Sequence, residues 1–312
     1  MTATVLQPVG QKSAKEPRGS VRRGGLTPWA FLGPALILIV ALRVFPMLLA
    51  LGMSFTDVQL SSSAETQFIG TENYEAILNS AEFGESILVT LKIVVPALVL
   101  EMVLGLLIAL WLNKPVGSRK VARGVMLVPY LLVPVVIGNI FRMIYSAQFG
   151  QLNYMLGLLG MDPQAWLTNP KLVQWSVVFM EVWHTTPFVA LMCLAGLAGI
   201  SKDTIEAAMV DGAGTFQRFY YVVLPSLLPI LGAVFVLRGM DALQLFDEVF
   251  VLTGGGPGRL TSVLNLFLYQ FGFRQFRLGE TSAAVTLVVL TFAVVAICVQ
   301  VIRAALKKGA HQ

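Results

Sequence analysis

Six apolar runs divide the sequence, and each of them is long enough to cross a lipid bilayer. A hydrocarbon core of about 30 Å requires roughly 20 mostly apolar residues in a helix. Only 12% of the 312 residues are charged, whereas soluble domains usually carry about 25%. We therefore predict an all-α, polytopic membrane protein with six transmembrane spans at about 28–55, 87–112, 124–146, 172–199, 222–246 and 281–303.

The distribution of Lys and Arg predicts the orientation of these spans. With a cytoplasmic N-terminus, fourteen basic residues fall in cytoplasmic segments and four in external ones, as the positive-inside rule requires. We expect a multi-pass protein of the cell membrane with both termini in the cytoplasm. It would comprise a basic tail (1–27), a six-span domain (28–306) and a short C-terminal tail (307–312). The basic clusters indicate orientation, and no nucleic-acid partner is predicted.

A segment with a different pattern lies between the fourth and fifth spans. It is Glu206–Pro225, EAAMVDGAGTFQRFYYVVLP, which begins in a predicted cytoplasmic loop at 201–221 and ends at the start of the fifth span. Ser201 can cap a short helix, and Gly212 can break it. A one-sided aromatic stripe follows at Phe216, Phe219 and Tyr220. Patterning alone permits either an amphipathic hairpin on the lipid headgroups or a docking surface for a cytoplasmic partner.

This segment resembles the EAA loop of binding-protein-dependent ABC importer permeases. The loop pattern is E-A-A, three residues, G, nine residues, I, one residue, L-P, and every spacing is kept here, with Val222 in the isoleucine position. The resemblance implies a coupling helix that sits in a groove of an ATP-binding subunit and transmits its closure to the spans. The contact and pivot residues that it implies are Glu206, Ala207, Ala208, Asp211 and Gly212.

Two further stretches are similar to carbohydrate-uptake permeases. Phe246–Leu264, FDEVFVLTGGGPGRLTSVL, resembles their FD-x-(I/V)-x-x-LTGGGP-x-x-x-T element. Its glycines lack the Gly-Lys-Ser/Thr of a P-loop, so a tight external turn is the alternative to a functional element. Glu181–Phe188, EVWHTTPF, resembles the E-x-W-(K/R)-x-x-PF run of maltose/trehalose and glycerol-phosphate type permeases, although His184 replaces the more usual basic residue.

Seven polar side chains fall within the predicted spans, at or outside the membrane midplane. Because charge is costly in a bilayer, such groups usually face a cavity or one another. We predict that they line an externally accessible substrate pathway, with interhelical locks as the alternative, and they are Asn139, Arg142, Glu181, His184, Arg238, Asp241 and Gln244. Arg238 and Asp241, three residues apart, are expected to pair. An aromatic platform for a sugar is expected from Trp183, Tyr145 and Phe188.

Other intramembrane residues are interpreted structurally. Lys92 and Glu101, on the second span, are interpreted as snorkelling or structural groups. Gly105 and Ala109, at four-residue spacing, predict close helix contact. We find no metal-ligand spacing and no catalytic triad, and we predict neither a metal site nor a cofactor site in this chain.

The resemblance implies a transport subunit without enzymatic activity. Its partners would be a second, homologous permease subunit, two ATP-binding subunits that bind ATP and Mg²⁺, an extracytoplasmic solute-binding protein, membrane lipid and a sugar substrate. One alternative is an ion-coupled secondary carrier that uses Glu181, Arg238 and Asp241 as a relay. That alternative does not explain the EAA pattern. A scaffold without transport does not explain the intramembrane polar groups.

The charges in the predicted substrate pathway narrow the choice of transported ligand. A disaccharide, a monosaccharide, a polyol and glycerol phosphate are all compatible with the resemblance. Arg142 and Arg238 would favour a phosphate, but Glu181 and Asp241 can neutralise them. We therefore expect a neutral sugar or polyol.

Overall fold

The computed structural model describes residues 27–59, 65–113 and 119–309. These residues form helices and connecting turns, with no strand and one isolated β-bridge, between Thr56 and Phe68. The all-α prediction is confirmed. The helices, in chain order, are α1 (Thr27–Ile39), α2 (Phe45–Met53), α3 (Glu72–Leu78), α4 (Ala81–Leu112), α5 (Arg119–Leu131), α6 (Pro134–Ile144), α7 (Gln151–Leu158), α8 (Val173–Ala198), α9 (Lys202–Val210), α10 (Thr215–Arg218), α11 (Leu224–Ala242), α12 (Asp247–Leu252), α13 (Leu264–Tyr269) and α14 (Leu278–Gly309).

The chain divides into two compact units, 1–49 and 50–312. In the first unit, α1 passes through a π-helical turn, Val40–Val44, into the start of α2. The second unit contains the remaining helices and every residue of the candidate site. The predicted basic tail lies outside the described residues except for Thr27, and so do residues 310–312 of the predicted C-terminal tail.

Five of the predicted spans are confirmed as membrane-length helices. In the described part of the chain, the stretches that are long and apolar enough to cross a membrane are Leu32–Met53, Ala81–Leu112, Val173–Ala198, Thr215–Ala242 and Leu278–Cys298. The second begins earlier than the predicted residue 87 because the Ser80 side chain accepts a hydrogen bond from the Phe83 amide, at 3.3 Å, and so caps the helix.

The prediction of one continuous third span at 124–146 is wrong. The chain forms two helices, α5 and α6, which are bent by 96° relative to each other. Val133, between them, has extended backbone angles. Pro134 imposes them, because its ring disfavours helical conformation in the preceding residue and suits the first position of a new helix. The position relative to the membrane midplane that a straight third span predicts for Asn139 and Arg142 therefore does not hold, because both residues lie on α6.

The helices α4 and α8 pack closely along their length, and glycine makes this possible. A Cβ atom added to Gly105 would lie 2.6 Å from Cγ1 of Val189 and 3.0 Å from the backbone nitrogen of Ala190. Ala109, one turn later, is fully buried in the cluster that also contains Cys193 and Leu227. The predicted close contact at Gly105 and Ala109 is confirmed.

The segment between the first two membrane-length helices includes an ordered cap over the ends of the helices. The Asn73 side-chain amide donates to the carbonyl oxygens of Ser54 and Thr56, at 2.9 and 2.8 Å. The Tyr74 hydroxyl lies 2.6 Å from Oγ of Ser54. The short helix α3, which carries both side chains, also packs against α14.

The glycine run after α12 forms a tight turn. Oγ1 of Thr253 and Oγ1 of Thr261 are 2.7 Å apart across the turn, and Thr261 also donates to the Gly256 carbonyl at 2.8 Å. Gly254 and Gly255 have φ values of +62° and +97°, which glycine adopts readily and other residues rarely do. The glycines are therefore required by the backbone of the turn.

We predict that Gly105→Leu destabilises the protein by about 1–3 kcal/mol, because the added side chain overpacks the contact between α4 and α8. The measurement is the thermal unfolding midpoint of the purified protein in detergent. Gly84→Leu is the matched control, since Gly84 is exposed on the same helix and a Cβ added there meets nothing within 4 Å. Equal midpoints for the two variants would contradict this packing.

Candidate functional site

The guanidinium of Arg238 on α11 binds carboxylates from three helices. Its Nε and Nη2 donate to both oxygens of Glu101 on α4, at 2.7 and 3.2 Å. Its Nη2 also donates to Glu181 on α8, and its Nη1 donates to Asp241 on α11 at 2.8 Å. The predicted pairing of Arg238 with Asp241 is confirmed. Asp241 is the most exposed carboxylate in a larger network.

The centre of this network, Arg238 and Glu101, is almost entirely removed from solvent. The Arg238 side chain is 2% exposed and the Glu101 side chain is fully buried, whereas the Asp241 side chain is 69% exposed. Arginine suits such a place because its planar group presents five N–H donors in a fixed fork. A buried pair of this kind is not a large net source of stability, but removal of one partner leaves an uncompensated charge.

A second pair of polar side chains, His184 and Glu248, lies beside the Arg238 network. Nδ1 of His184 on α8 is 3.5 Å from Oε1 of Glu248 on α12, and both side chains are buried. His184 is one helical turn beyond Glu181 on the same face of α8. The acidic and basic groups of α4, α8, α11 and α12 thus form one continuous patch.

This patch forms one wall of a cavity of about 470 Å³. Glu181, His184 and Glu248 contribute its buried part. Thr185, also buried, lies beside them, and more exposed groups complete the wall: Tyr130, Asp241, Gln244, Phe246 and Asp247. Acceptor oxygens outnumber donors in this lining, and Arg238 lies behind the wall with its donors directed to carboxylates.

The structure brings together part of the predicted pathway. Glu181, His184, Asp241 and Gln244 line the cavity, and Arg238 supports it from behind. Asn139 and Arg142 do not line it. They are exposed on α6, where the Asn139 amide donates to the Val135 carbonyl of its own helix at 3.0 Å. The bend before α6 accounts for this difference, because it redirects the helix that carries both residues.

Of the three aromatic residues predicted to contact a sugar, only Phe188 lies beside the polar cavity. Tyr130 and Phe246 line the polar cavity, and Phe188 stacks against Tyr130 with ring centroids 5.2 Å apart. Trp183 and Tyr145 line a separate apolar pocket. The expectation for Trp183 and Tyr145 is wrong because Trp183 lies on a different face of α8 from His184, only one position along the helix.

Two carboxylates of the site were not predicted as site residues. Of the two interpretations of Glu101, a snorkelling or a structural group, the structural one holds, because Glu101 is buried and paired with Arg238. Glu248 did not stand out because it follows Asp247 at the start of a short helix. An intramembrane carboxylate almost always has a partner, so Glu101 carried a signal in the sequence, but the sequence did not show that its partner is Arg238.

The segment that resembles the EAA loop forms a helix ended by glycine. The amide of Gly212 donates to the Met209 carbonyl, and that of Ala213 donates to the Ala208 carbonyl, both at 3.0 Å. This pair of hydrogen bonds is the Schellman arrangement, which requires a left-handed residue after the helix. Gly212 has φ +79°, so the predicted turn at this residue is confirmed.

The implied contact residues lie on an accessible surface of this helix. Glu206, Ala207 and Asp211 are exposed, and Ala208 is half-buried. Ser201 occupies the predicted N-cap position, but its side chain makes no capping hydrogen bond. The helix α9 and the residue that follows it therefore expose a carboxylate, a small side chain and a second carboxylate.

The second half of the segment is not a separate helix. Helical structure begins again at Thr215, where the Gly214 amide donates to Oε1 of Gln217 at 2.8 Å. It then continues through the π-helical turn Phe219–Val223 into α11, so that Thr215–Ala242 is one helix of 28 residues. The aromatic stripe at Phe216, Phe219 and Tyr220 therefore lies at the start of this long helix. Pro225 lies within the helix, just after the π-helical turn, as proline often does in membrane helices.

A polar cavity lined by charged groups among membrane-length helices is typical of membrane transport proteins. Residues 101–312 match the family described as "Binding-protein-dependent transport system inner membrane component". The match covers more than half of the sequence, and the chain belongs to this family. Members of the family are transport components and not catalysts.

Curated relatives are similar over most of their length. The chain is 37% identical to the probable ABC transporter permease protein y4oQ of Sinorhizobium fredii, over 86% of this chain and 88% of that one. It is 35% identical to the trehalose/maltose transport system permease protein MalF of Thermococcus litoralis, over 83% and 87% of the two chains. It is also 35% identical to the sulfoquinovosyl glycerol transport system permease protein SmoG of Agrobacterium fabrum, over 87% and 89%.

Solved structures show the same fold. A chain of a bacterial ABC transporter involved in the import of alginate superposes with a TM-score of 0.77 at 22% identity, over 88% of this chain and 94% of that chain. A chain of the bacterial alginate transporter bound to its pentasaccharide-loaded periplasmic protein superposes with a TM-score of 0.73 at 24% identity, over 85% and 92%. At these identities the similarity establishes the architecture of an importer permease.

We predict that Arg238→Met destabilises the protein by about 3–5 kcal/mol, because it leaves the buried Glu101 and Glu181 without a cation. The thermal unfolding midpoint in detergent measures the loss. Arg142→Met is the matched control on an exposed arginine. Adding Glu101→Gln to Arg238→Met should recover part of the lost stability. A midpoint for Arg238→Met equal to that of Arg142→Met would refute the structural role of this network.

Proposed function

We propose that this chain is the permease subunit of an ATP-driven importer that moves a sugar or related polyol into the cell. A second, homologous permease would complete the pathway, and two ATP-binding subunits, which hold ATP and Mg²⁺, would drive it. An extracytoplasmic solute-binding protein would deliver the ligand. Both termini and the segment around α9 would lie in the cytoplasm, in agreement with the distribution of Lys and Arg.

One observation supports coupling to an ATPase more than any other. The helix that begins beside the Gly212 turn, at Thr215, continues without interruption to Ala242. The same helix carries Arg238 and Asp241 at the cavity. A displacement of α9 by a closing ATP-binding subunit would therefore reach the cavity through one covalent helix and the ion pairs of Arg238.

The surface of α9 has the composition expected of the coupling contact. Glu206 offers an exposed carboxylate, and Ala207 allows a groove to approach the backbone closely. Gly212 turns the chain sharply, so that α9 projects from the end of the long helix. We propose that Glu206, Ala207, Ala208, Asp211 and Gly212 form the contact and pivot residues.

The cavity supports a neutral saccharide as the ligand. Its carboxylates and the Gln244 amide offer hydrogen-bonding groups, while Tyr130 and Phe246 offer flat apolar surfaces. Among the described residues that line it there is no Lys or Arg, and Arg238 is fully engaged. Glycerol phosphate is disfavoured, since its charge would meet carboxylates and no free Lys or Arg side chain. The name of the trehalose/maltose relative is consistent with a neutral ligand.

A second permease is needed to complete the site. The Asp241 side chain is 69% exposed although it lies on a membrane-length helix, and a carboxylate facing lipid would be costly. We infer that this face of the cavity borders a water-filled pathway shared with the partner permease. The opposite wall of the ligand site would then come from that subunit.

We predict that Gly212→Val uncouples ATP hydrolysis from uptake. Valine at φ +79° would cost about 1–2 kcal/mol or more and would redirect α9. The assay is uptake of labelled sugar and ATPase activity in vesicles that hold the assembled complex with its binding protein. Uptake should fall at least about tenfold, and stimulation of the ATPase by the loaded binding protein should be lost.

Gly214→Val is the matched control for this variant. Gly214 has φ −67°, and a Cβ added there meets only Oε1 of Gln217 at 3.7 Å. This second variant should retain most of the uptake. Full uptake by Gly212→Val would overturn the coupling role of the turn, and uptake that persists without the ATP-binding subunits would favour an ion-coupled carrier.

We predict that Tyr130→Leu lowers sugar uptake by roughly fivefold to tenfold, the equivalent of about 1 kcal/mol of lost aromatic contact. A panel of labelled neutral disaccharides, monosaccharides, polyols and glycerol phosphate identifies the ligand in the same assay. Tyr154→Leu is the control, since Tyr154 is exposed on α7 and does not line the cavity. Preferential uptake of glycerol phosphate would refute the neutral-ligand assignment.

A further inference from the structure

Three side chains of metal-ligating type converge in the buried wall of the cavity. Glu181 and His184 are three residues apart on α8, and Glu248 comes from α12. One ligand atom of each lies within 4.8 Å of the others. The Glu-x-x-His spacing on one helix is the one that carboxylate-bridged metal sites use in helical bundles. The third side chain comes from a different helix, so the sequence contains no complete metal-binding spacing.

These groups are not satisfied by the protein. Oε2 of Glu181 and Nδ1 of His184 are buried atoms without a hydrogen-bond partner among the described residues. Nδ1 of His184 is 3.5 Å from Oε1 of Glu248, which is beyond a normal hydrogen bond. Buried polar atoms are nearly always paired. Two unpaired buried atoms, each able to offer a lone pair and each on a residue of this cluster, therefore indicate a bound group.

The local charge favours a cation as that group. Glu101, Glu181 and Glu248 are buried carboxylates, and Arg238 is the one guanidinium that contacts any of them in the described structure. Arg238 already binds Asp241 as well. A surplus of negative charge therefore remains next to His184, and an isolated buried charge is costly unless it is paired or binds a metal ion.

We propose that Glu181, His184 and Glu248 bind a divalent transition-metal ion of the zinc class. An imidazole with two carboxylates suits Zn²⁺ and disfavours Mg²⁺ and Ca²⁺, which prefer oxygen ligands alone. Around a tetrahedral ion with bonds of about 2.1 Å, ligand atoms lie roughly 3.4 Å apart, so the three side chains need only a small closure. The cavity gives the ion access and leaves room for water as a fourth ligand.

This site goes beyond the proposed transport function and does not depend on the identity of the transported ligand. The ion joins α8 to α12 across the wall of the cavity. It also offsets the surplus charge that Arg238 leaves. Because it stabilises the folded arrangement of these helices, bound metal raises the unfolding temperature of the protein.

The test is metal binding by the purified, nucleotide-free complex with its partner subunits. Co²⁺ serves as a spectroscopic substitute for Zn²⁺, and equilibrium dialysis with elemental analysis measures Zn²⁺ itself. We expect the native complex to bind one equivalent more than Glu248→Gln and His184→Gln, or to bind it at least tenfold more tightly. The native Co²⁺ spectrum should show the intense visible bands of a four-coordinate ion.

The choice of variants separates binding from folding. Glu181 is not substituted, because its carboxylate also binds Arg238. Asp247→Asn is the matched control, since Asp247 neighbours Glu248 and lines the cavity but does not belong to the cluster. It should bind metal as the native complex does. Zn²⁺ should raise the thermal midpoint of the native complex and of Asp247→Asn, but not that of Glu248→Gln.

Equal metal stoichiometry and affinity in the native complex, Glu248→Gln and His184→Gln would overturn the proposal. A loss of binding in Asp247→Asn as large as that in Glu248→Gln would also overturn it, because binding would then follow the overall charge of the cavity. Neither result bears on sugar uptake or on coupling at Gly212, so failure of this site leaves the proposed function unaffected.

Discussion

One arginine side chain holds together the part of the membrane domain that forms the cavity. Arg238 lies on α11, and its carboxylate partners Glu101 and Glu181 lie on α4 and α8. Each of these ions would be costly at membrane depth alone, so each requires the other helices in their observed positions. The glycine contact between α4 and α8 brings the two acidic helices close enough for one guanidinium to reach both. Packing and electrostatics therefore depend on each other here.

The same arginine determines the chemistry of the cavity. Its donors are directed to carboxylates, so the wall facing the cavity presents mainly acceptors and one imidazole. A lining of this kind suits hydroxyl groups and cations and repels anions. The saccharide that we propose as ligand and the metal ion that we propose for the buried cluster both follow from this charge distribution. They occupy different parts of it, the exposed rim and the buried wall.

Much of the architecture was predictable because membrane helices and short motifs are local in sequence. The lengths of the apolar runs located five spans, and the spacing of Glu206 and Gly212 located the helix and turn of the loop. The bend before α6 had a local signal in Pro134, but proline is also common in unbroken membrane helices. The partners of Glu101 and Glu248 were not predictable, because each lies on another helix and only the packed structure brings them together.

The length of the helix that carries Arg238 has a mechanical consequence. At about 1.5 Å per residue, its 28 residues extend roughly 40 Å. A rigid rod of that length that tilts by about 5° displaces its far end by roughly 3–4 Å, which is larger than any hydrogen bond of the Arg238 network. The ion pairs to α4 and α8 therefore cannot stretch to absorb such a tilt. The three helices must therefore move as one block, or the network must break, so a tilt of this helix cannot leave α4 and α8 in place with their ion pairs intact.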